Sequence, residues 1–292
     1  MSIFGQPAPA SLRRAFFVLM AAAIPLQAAP PASPAPGLAQ IGKPDAAESR
    51  RILEQFRQAG IAGEYYLEFA LHQLPRRGDE VVFPGKLWGG RNNRGTIVRI
   101  ALTDATGHEQ RLLVQNGAKP ALWRYADGQL TQPDMTGLLE PLVPGVELTA
   151  FDLEMPFLAW SDAEVTAIVR VLGRPAYAFF FRPPPAFAVQ YPEVAAVRAY
   201  FDTQFNAPTQ TELLNAAGGV TKTLSLVEFK RLGDQPLPKV LEVRNESTRD
   251  KTRIVLTAAA LQLELASAIF EPGALADEIR PPAVDRIVRL TP

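Results

Sequence analysis

The sequence predicts a mainly β (α+β) fold, in which a single curved antiparallel sheet forms an incomplete barrel of about eleven strands with helices as its cap. Three observations predict it. Residues 165–172 and 175–181 are two β-rich runs separated by almost nothing, with Gly173-Arg174 between them; glycine first in a two-residue loop suits a primed hairpin turn. From Gly63 onward, apolar residues recur at every second position and turn residues interrupt them at short intervals, the pattern of half-buried strands in a meander. No stretch shows the strand–helix–strand rhythm of a parallel sheet. No internal boundary is visible either, so residues 45–292 read as one domain.

The chain begins with a leader-like segment. Arg13 and Arg14 precede an apolar run, 15–26, and then the small residues of Gln27-Ala28-Ala29. A basic start, a short apolar middle and small residues at a cleavage point are the pattern of a secretory signal peptide, here 1–29. The run falls short of the roughly 20 apolar residues that span a bilayer. The expected location is therefore the periplasm. Residues 30–44 are rich in Pro, Ala and Gly and lack periodicity, which reads as a linker of polyproline-like character. Residues 45–59 form the first expected helix: Asp45 is a candidate N-cap, Ile52, Leu53 and Phe56 share a stripe, and Gly60 ends it.

The strands follow. Tyr65, Leu67, Phe69 and Leu71 alternate with Tyr66, Glu68, Ala70 and His72. Runs at 81–90, 96–102, 109–115 and 121–125 come next, separated by Asn92-Asn93, Thr106-Gly107, Asn116-Gly117 and Asp127-Gly128, all turn chemistry. Residues 148–160 carry Phe151, Met155, Leu158 and Trp160 near helical spacing, but Pro156 must shorten or kink any helix there. In the second arm of the hairpin, Tyr177, Phe179 and Phe181 share one face and Ala176, Ala178 and Phe180 the other. Pro183, Pro184 and Pro185 stop it, since proline cannot donate to a ladder. Strand patterns resume at 196–202, 212–215, 220–230, 240–245, 253–259 and 262–265. The pairs Gly89-Gly90 and Gly218-Gly219 read as turns.

Composition excludes more than it proposes. With 30 basic and 30 acidic residues there is no electrostatic footprint for nucleic acid. Removing 1–29 takes away Arg13 and Arg14 and no acid, leaving 28 basic against 30 acidic groups. The chain has no cysteine, so disulfides, thiolate metal sites and a Cys nucleophile are absent. The two histidines, His72 and His108, have no second ligand at metal spacing. Nucleophile-elbow, zincin, Walker and dinucleotide motifs do not occur. The acidic cluster Asp152, Glu154, Asp162 and Glu164 is the one enzyme-like feature, and short acidic clusters near helix ends are mostly solvated or capping groups. The reading is of a protein that is not an enzyme, with no metal and no cofactor.

Large apolar side chains are more numerous than a small closed β core needs. A broad sheet that curls without closing leaves room between its concave face and the covering helices. Leu67, Phe69, Trp88, Trp123, Phe157, Trp160, Tyr177, Phe179 and Phe181 are the candidates to line such an apolar cavity for a lipid.

Several segments, in order, resemble the outer-membrane lipoprotein-sorting family of LolA- and LolB-like periplasmic carriers, in an uncharacterised branch. They are FPGKLWGG at 83–90, LLVQNGAKPALWRY at 112–125, TAFDLEMPFLAW at 149–160 and VLGRPAYAFFFRPPP at 171–185. VRAYFDTQF at 197–205, SLVEFKRL at 225–232, KVLEVRNESTRDKTRIVL at 239–256 and FEPGAL at 270–275 follow. The resemblance implies a helix-capped incomplete barrel whose cavity holds the acyl chains of lipoproteins on their way to the outer membrane. It also implies a monomer working between an inner-membrane donor and an outer-membrane acceptor. The alternative on the same fold is a periplasmic interaction or sensor module that carries no lipid; it requires a filled interior.

Overall fold

The computed structural model describes residues 38–290 except 105, 118, 133–136 and 205–206. The leader and residues 30–37 of the linker lie outside the described residues. All described strands belong to one antiparallel sheet of fifteen. They are β1 (Gln40–Gly42), β2 (Glu64–Leu74), β3 (Val81–Asn92), β4 (Gly95–Thr103), β5 (Glu109–Gln115), β6 (Ala121–Ala126) and β7 (Gln129–Thr131). After the helical segment come β8 (Asp162–Val171), β9 (Arg174–Arg182), β10 (Ala196–Asp202), β11 (Pro208–Leu214), β12 (Val220–Leu232), β13 (Gln235–Asn245), β14 (Lys251–Leu263) and β15 (Val288–Arg289).

The order across the sheet is β1-β8-β9-β10-β11-β12-β13-β14-β2-β3-β4-β5-β6-β7, with β15 against β14. Two meanders are thus joined by the β14–β2 pairing. The chain runs out to the edge at β7, crosses by residues 132–161, restarts at the opposite edge, and returns strand by strand to β2. The two edges do not pair with each other among the described residues, so the sheet stays open. Between β13 and β14 the ladder stops at Val240–Val255, and β15 pairs with Ala258 and Ala259 beyond it.

Local chemistry explains the elements. α1 (Ala46–Gln58) starts at Asp45, whose carboxylate accepts from the amides of Ala47 and Glu48 at 2.8 Å, a side-chain N-cap. Its stripe Ile52, Leu53 and Phe56 is buried. The crossing segment forms α2 (Ala150–Glu154), and Met155 then turns left-handed at φ 44° so that Pro156 can open a 3-10 turn through Ala159. Pro156 therefore divides the segment as its missing N–H requires.

Four details differ from the sequence reading. The hairpin loop is Leu172-Gly173, with φ of 48° and 81°, and Val171 pairs with Arg174; both loop residues are left-handed, a type I′ turn with glycine second. Gly89 and Gly90 lie inside β3. A Cβ on Gly89 would fall 2.1 Å from the Tyr65 ring and one on Gly85 2.2 Å from the Phe69 ring, so the glycines let cross-strand rings lie flat on the sheet. The prolines that end β9 also open α3 (Pro185–Gln190), since proline fits a first helical turn. Gln40–Gly42, grouped by composition with the linker, pairs with β8 as an edge strand.

The concave face holds two differently packed regions. Under α1, α2 and α3, Phe179, Phe181 and Phe201 join Phe56, Phe151, Phe157, Trp160 and Phe187 in one cluster. Phe56 stacks on Phe201 at 4.0 Å and Phe157 meets Phe181 edge-on at 5.2 Å. On β2–β5 a second cluster includes Leu71, Phe83, Ile100, Leu112 and Val114, covered by Leu142, Val143, Val146 and Leu148 of the crossing segment. The convex face of β2–β6 is covered by the C-terminal strap, residues 264–287. Buried Arg99 anchors it, donating to the carbonyls of Ile269, Ala274 (2.7 Å) and Asp277. Burial pulls the Arg99 guanidinium down to about 10 from its ordinary value.

Candidate ligand-binding site

Register sorts the nine candidate residues by face. Leu67 and Phe69 on β2 are concave, because they share a face with Leu71 of the inner cluster. Tyr177, Phe179 and Phe181 are concave as well. Trp88 lies opposite Tyr66 and Arg99, hence on the convex face, where it packs with Ala260, Ile269 and Phe270 under the strap. Trp123, opposite Leu113, is on the same convex side with Leu275. These two tryptophans therefore do not line the concave side. Both faces of β3 and β6 are apolar here, so alternation alone did not reveal which one the strap covers.

Phe157, Trp160, Phe179 and Phe181 are concave but interlocked. Phe181 is 0% and Phe179 1% exposed, with rings stacked on each other at 5.9 Å. Trp160 meets Phe187 at 5.0 Å, and Phe187 meets Tyr191 at 4.9 Å. These rings pack as interiors do, and Trp160 and Phe187 at the edge of the cluster also border open space. Tyr177, half-buried, packs against its rim.

Accessible apolar surface lies elsewhere on the concave face. Phe69, Leu87 and Val98 are half-buried, and each packs against both the β2–β5 cluster and a smaller one built from Tyr65, Leu67, Leu237, Leu256 and Leu290. Ile254 and Leu224 are half-buried beside them. Together they leave apolar surface accessible on the concave face, beside Leu67 and Phe69, which sequence alternation did reach. Toward the sheet edge a pocket of about 380 Å³ opens between β6, α2 and α3, with Leu122, Ala150, Pro156, Trp160 and Phe187 among its walls. That volume lies at the low end for small-molecule sites. Arg124, Thr131, Glu140 and Glu154 interrupt its walls. Arg124 keeps its Nε buried with no hydrogen-bond partner. Glu154 is 4% exposed, and burial pushes its carboxyl up to about 7.

The helical cover is tied together, and to the sheet, by a few specific bonds. Arg57 Nε donates to the carbonyl of Leu158 at 2.7 Å, and Asn116 Nδ2 to that of Leu153 at 3.0 Å. Lys222 pairs with Asp152 at 2.5 Å, and Asp152 also accepts from the Thr149 amide and hydroxyl at 2.8 Å. The acidic cluster of the sequence is thereby dispersed: Asp152 holds Lys222, Glu154 is buried apart, and Asp162 and Glu164 face Arg182 on the surface. His72 contacts Glu80, and His108 contacts Asp127 at 3.1 Å. Among the described residues no group of His, Asp and Glu is placed to hold a metal ion, and no helix is long and apolar enough to cross a membrane.

An open, helix-covered antiparallel sheet with an apolar concave face defines the class, a fold shared with solved lipoprotein-sorting and LolA superfamily proteins. The solved structures most relevant to it carry that fold. An outer-membrane lipoprotein-sorting protein domain from Vibrio parahaemolyticus matches 80% of this chain and 100% of its own, with TM-score 0.69 at 14% identity. A DUF1329 family protein from Desulfovibrio piger matches 78% and 98%, with TM-score 0.67 at 12% identity. A LolA superfamily protein from Nitrosomonas europaea matches 76% and 97%, with TM-score 0.59 at 13% identity. No protein-family model matches the sequence, and no curated protein does. The likeness is one of fold.

Proposed function

We propose that the protein is a periplasmic carrier that takes the acyl chains of a lipoprotein, or of another lipid, into the concave groove and ferries them toward the outer membrane. One observation carries the reading: Phe69, Leu87 and Val98, with Leu224 and Ile254 beside them, remain half-buried on the apolar concave face. Each methylene that leaves water for such a surface recovers about 0.8 kcal/mol, so one long chain gains on the order of 10 kcal/mol. The solved lipoprotein-sorting and LolA superfamily structures of the same fold support it. The leader-like segment 1–29 supports export, and the donor and acceptor are then membrane-bound proteins on either side.

The test is mass spectrometry of organic extracts from gently purified mature protein. Co-purified lipid at near-stoichiometric yield is expected; lipid-free protein that also fails to bind added acyl ligands overturns the reading. The solid aromatic half favours a second reading, an interaction or sensor module with no lipid cargo. That module binds a protein partner saturably with or without lipid.

A further inference from the structure

The C-terminal strap on the convex face is fastened at two places, and a pocket lies between them. Arg99 and Arg111 donate to the carbonyls of Ile269, Ala274, Leu275, Ala276 and Asp277. Further on, β15 pairs with Ala258 and Ala259, and the Leu290 amide donates to the Thr257 carbonyl at 2.9 Å. Between these anchors, residues 280–286 and the end of β14 border a pocket of about 490 Å³, within the range of small-molecule sites. β14 shifts register against β2 between Ala260 and Leu263, and Gln262 takes a left-handed φ of 52°; such bulges re-aim the side chains around them. Trp88 is in the pocket wall. It is 2% exposed, and its Nε1 is buried with no hydrogen-bond partner. An indole N–H can only donate, and a buried donor left unmade is costly. It calls for an acceptor.

Charge narrows the acceptor. The ionisable groups of the wall are Arg280, Arg286 and Glu264. Arg280 makes no hydrogen bond or ion pair among the described residues, and Arg286 spends one N–H on the Gln262 carbonyl at 3.2 Å. Two guanidiniums against one carboxylate leave one net positive charge, which suits a monoanion better than a dianion. A guanidinium fork matches the planar oxygens of a carboxylate. Leu263, Leu265 and Pro282 supply apolar wall beside them. We propose that this pocket binds a small carboxylate with an apolar body, its oxygens held by Arg280 and Arg286 next to the Trp88 indole and its body against Leu263, Leu265 and Pro282. The site is on the convex face, opposite Leu67 and Phe69, so the proposal does not rest on the carrier reading.

The test titrates the mature chain with hydrocinnamate, hydrocinnamyl alcohol and phenyl phosphate, which carry a carboxylate, no charge and a phosphate on similar rings. Binding is followed at the Trp88 indole N–H resonance in nitrogen–proton correlation spectra, assigned with Trp88→Phe. Hydrocinnamate is expected to move that resonance downfield and to bind about tenfold more tightly than the alcohol. Arg280→Met and Arg286→Met are each expected to weaken it about fivefold, as the loss of an exposed ion pair does, and Glu264→Gln to tighten it about twofold. Arg280 holds no bond that its variant would break, and thermal melts check the fold of all three. Equal binding of acid and alcohol, a Trp88 resonance unmoved at saturating acid, or affinities unchanged in both arginine variants overturns the site. Tighter binding of phenyl phosphate than of hydrocinnamate overturns the choice of a carboxylate. A shift with none of the probes overturns the proposal as a whole and leaves the carrier reading as it was.

Discussion

The two halves of the concave face spend their aromatic residues differently. Under α1, the β8–β10 half interlocks Phe56, Phe151, Phe157, Phe179, Phe181 and Phe201 with almost no exposure. The β2–β6 half places Phe69 and Tyr65 flat over glycines and leaves Phe69, Leu87 and Val98 half-open. Dense packing gives stability and no room. Rings laid on glycines give an apolar floor without filling the space above it. On the proposed carrier reading, the contrast gives scaffold work to one half and binding to the other.

The strongest way to break this contrast is to damage the scaffold. Phe181→Ala is expected to cost about 3–5 kcal/mol in denaturant unfolding, as large-to-small changes in rigid cores do. A loss under about 1 kcal/mol would mean that the aromatic half is soft and able to open, and the division of labour would fail.

Next in size is a pH effect at the boundary of the halves. Burial raises the Glu154 carboxyl to about 7 from its ordinary 4.5. Below the unfolded value both states hold the proton and nothing is lost. As pH rises from there through 7, the folded state must ionise a buried acid, so stability falls and then levels off. At one pKa unit per roughly 1.4 kcal/mol, the loss is on the order of 3 kcal/mol. Glu154→Gln is expected to remove that decline, leaving stability unchanged at acid pH and raised at pH 8. Parallel unfolding midpoints for wild type and variant across the range would contradict it.

The smallest stability effect belongs to the floor. Phe69→Ala is expected to cost about 1 kcal/mol, since a half-exposed ring leaves little cavity behind. Acyl-probe binding should weaken by roughly tenfold or more, because the ring is contact surface. A large stability loss with binding intact would reverse the assignment.

Much of this architecture was legible in the chain. Period-two alternation located β2–β6 and β8–β14, and Asp45 and Pro156 marked where helices start and break. What escaped was long-range. Trp88 and Trp123 were placed with the inner residues because both faces of their strands are apolar, and only the strap of residues 264–287 decides which face is outside. The turn slipped by one residue because Leu172 accepts a left-handed φ beside Gly173. Gly89 looked like a turn because its use, clearance for the Tyr65 ring, depends on cross-strand register. Of the site, Leu67 and Phe69 could be read from alternation. Arg124 could not, since the missing partner of its Nε is visible only in three dimensions.

The division between a rigid half and a receptive half is tested most directly by methyl-resolved NMR of the mature protein titrated with N-palmitoyl-glycyl-serine amide. The account expects shifts concentrated on the methyls of Leu87, Val98, Leu224 and Ile254, with those of Ile52, Val165, Val197 and Leu213 in the aromatic half nearly still. Shifts centred on the aromatic half, or none on either at saturating probe, would contradict it.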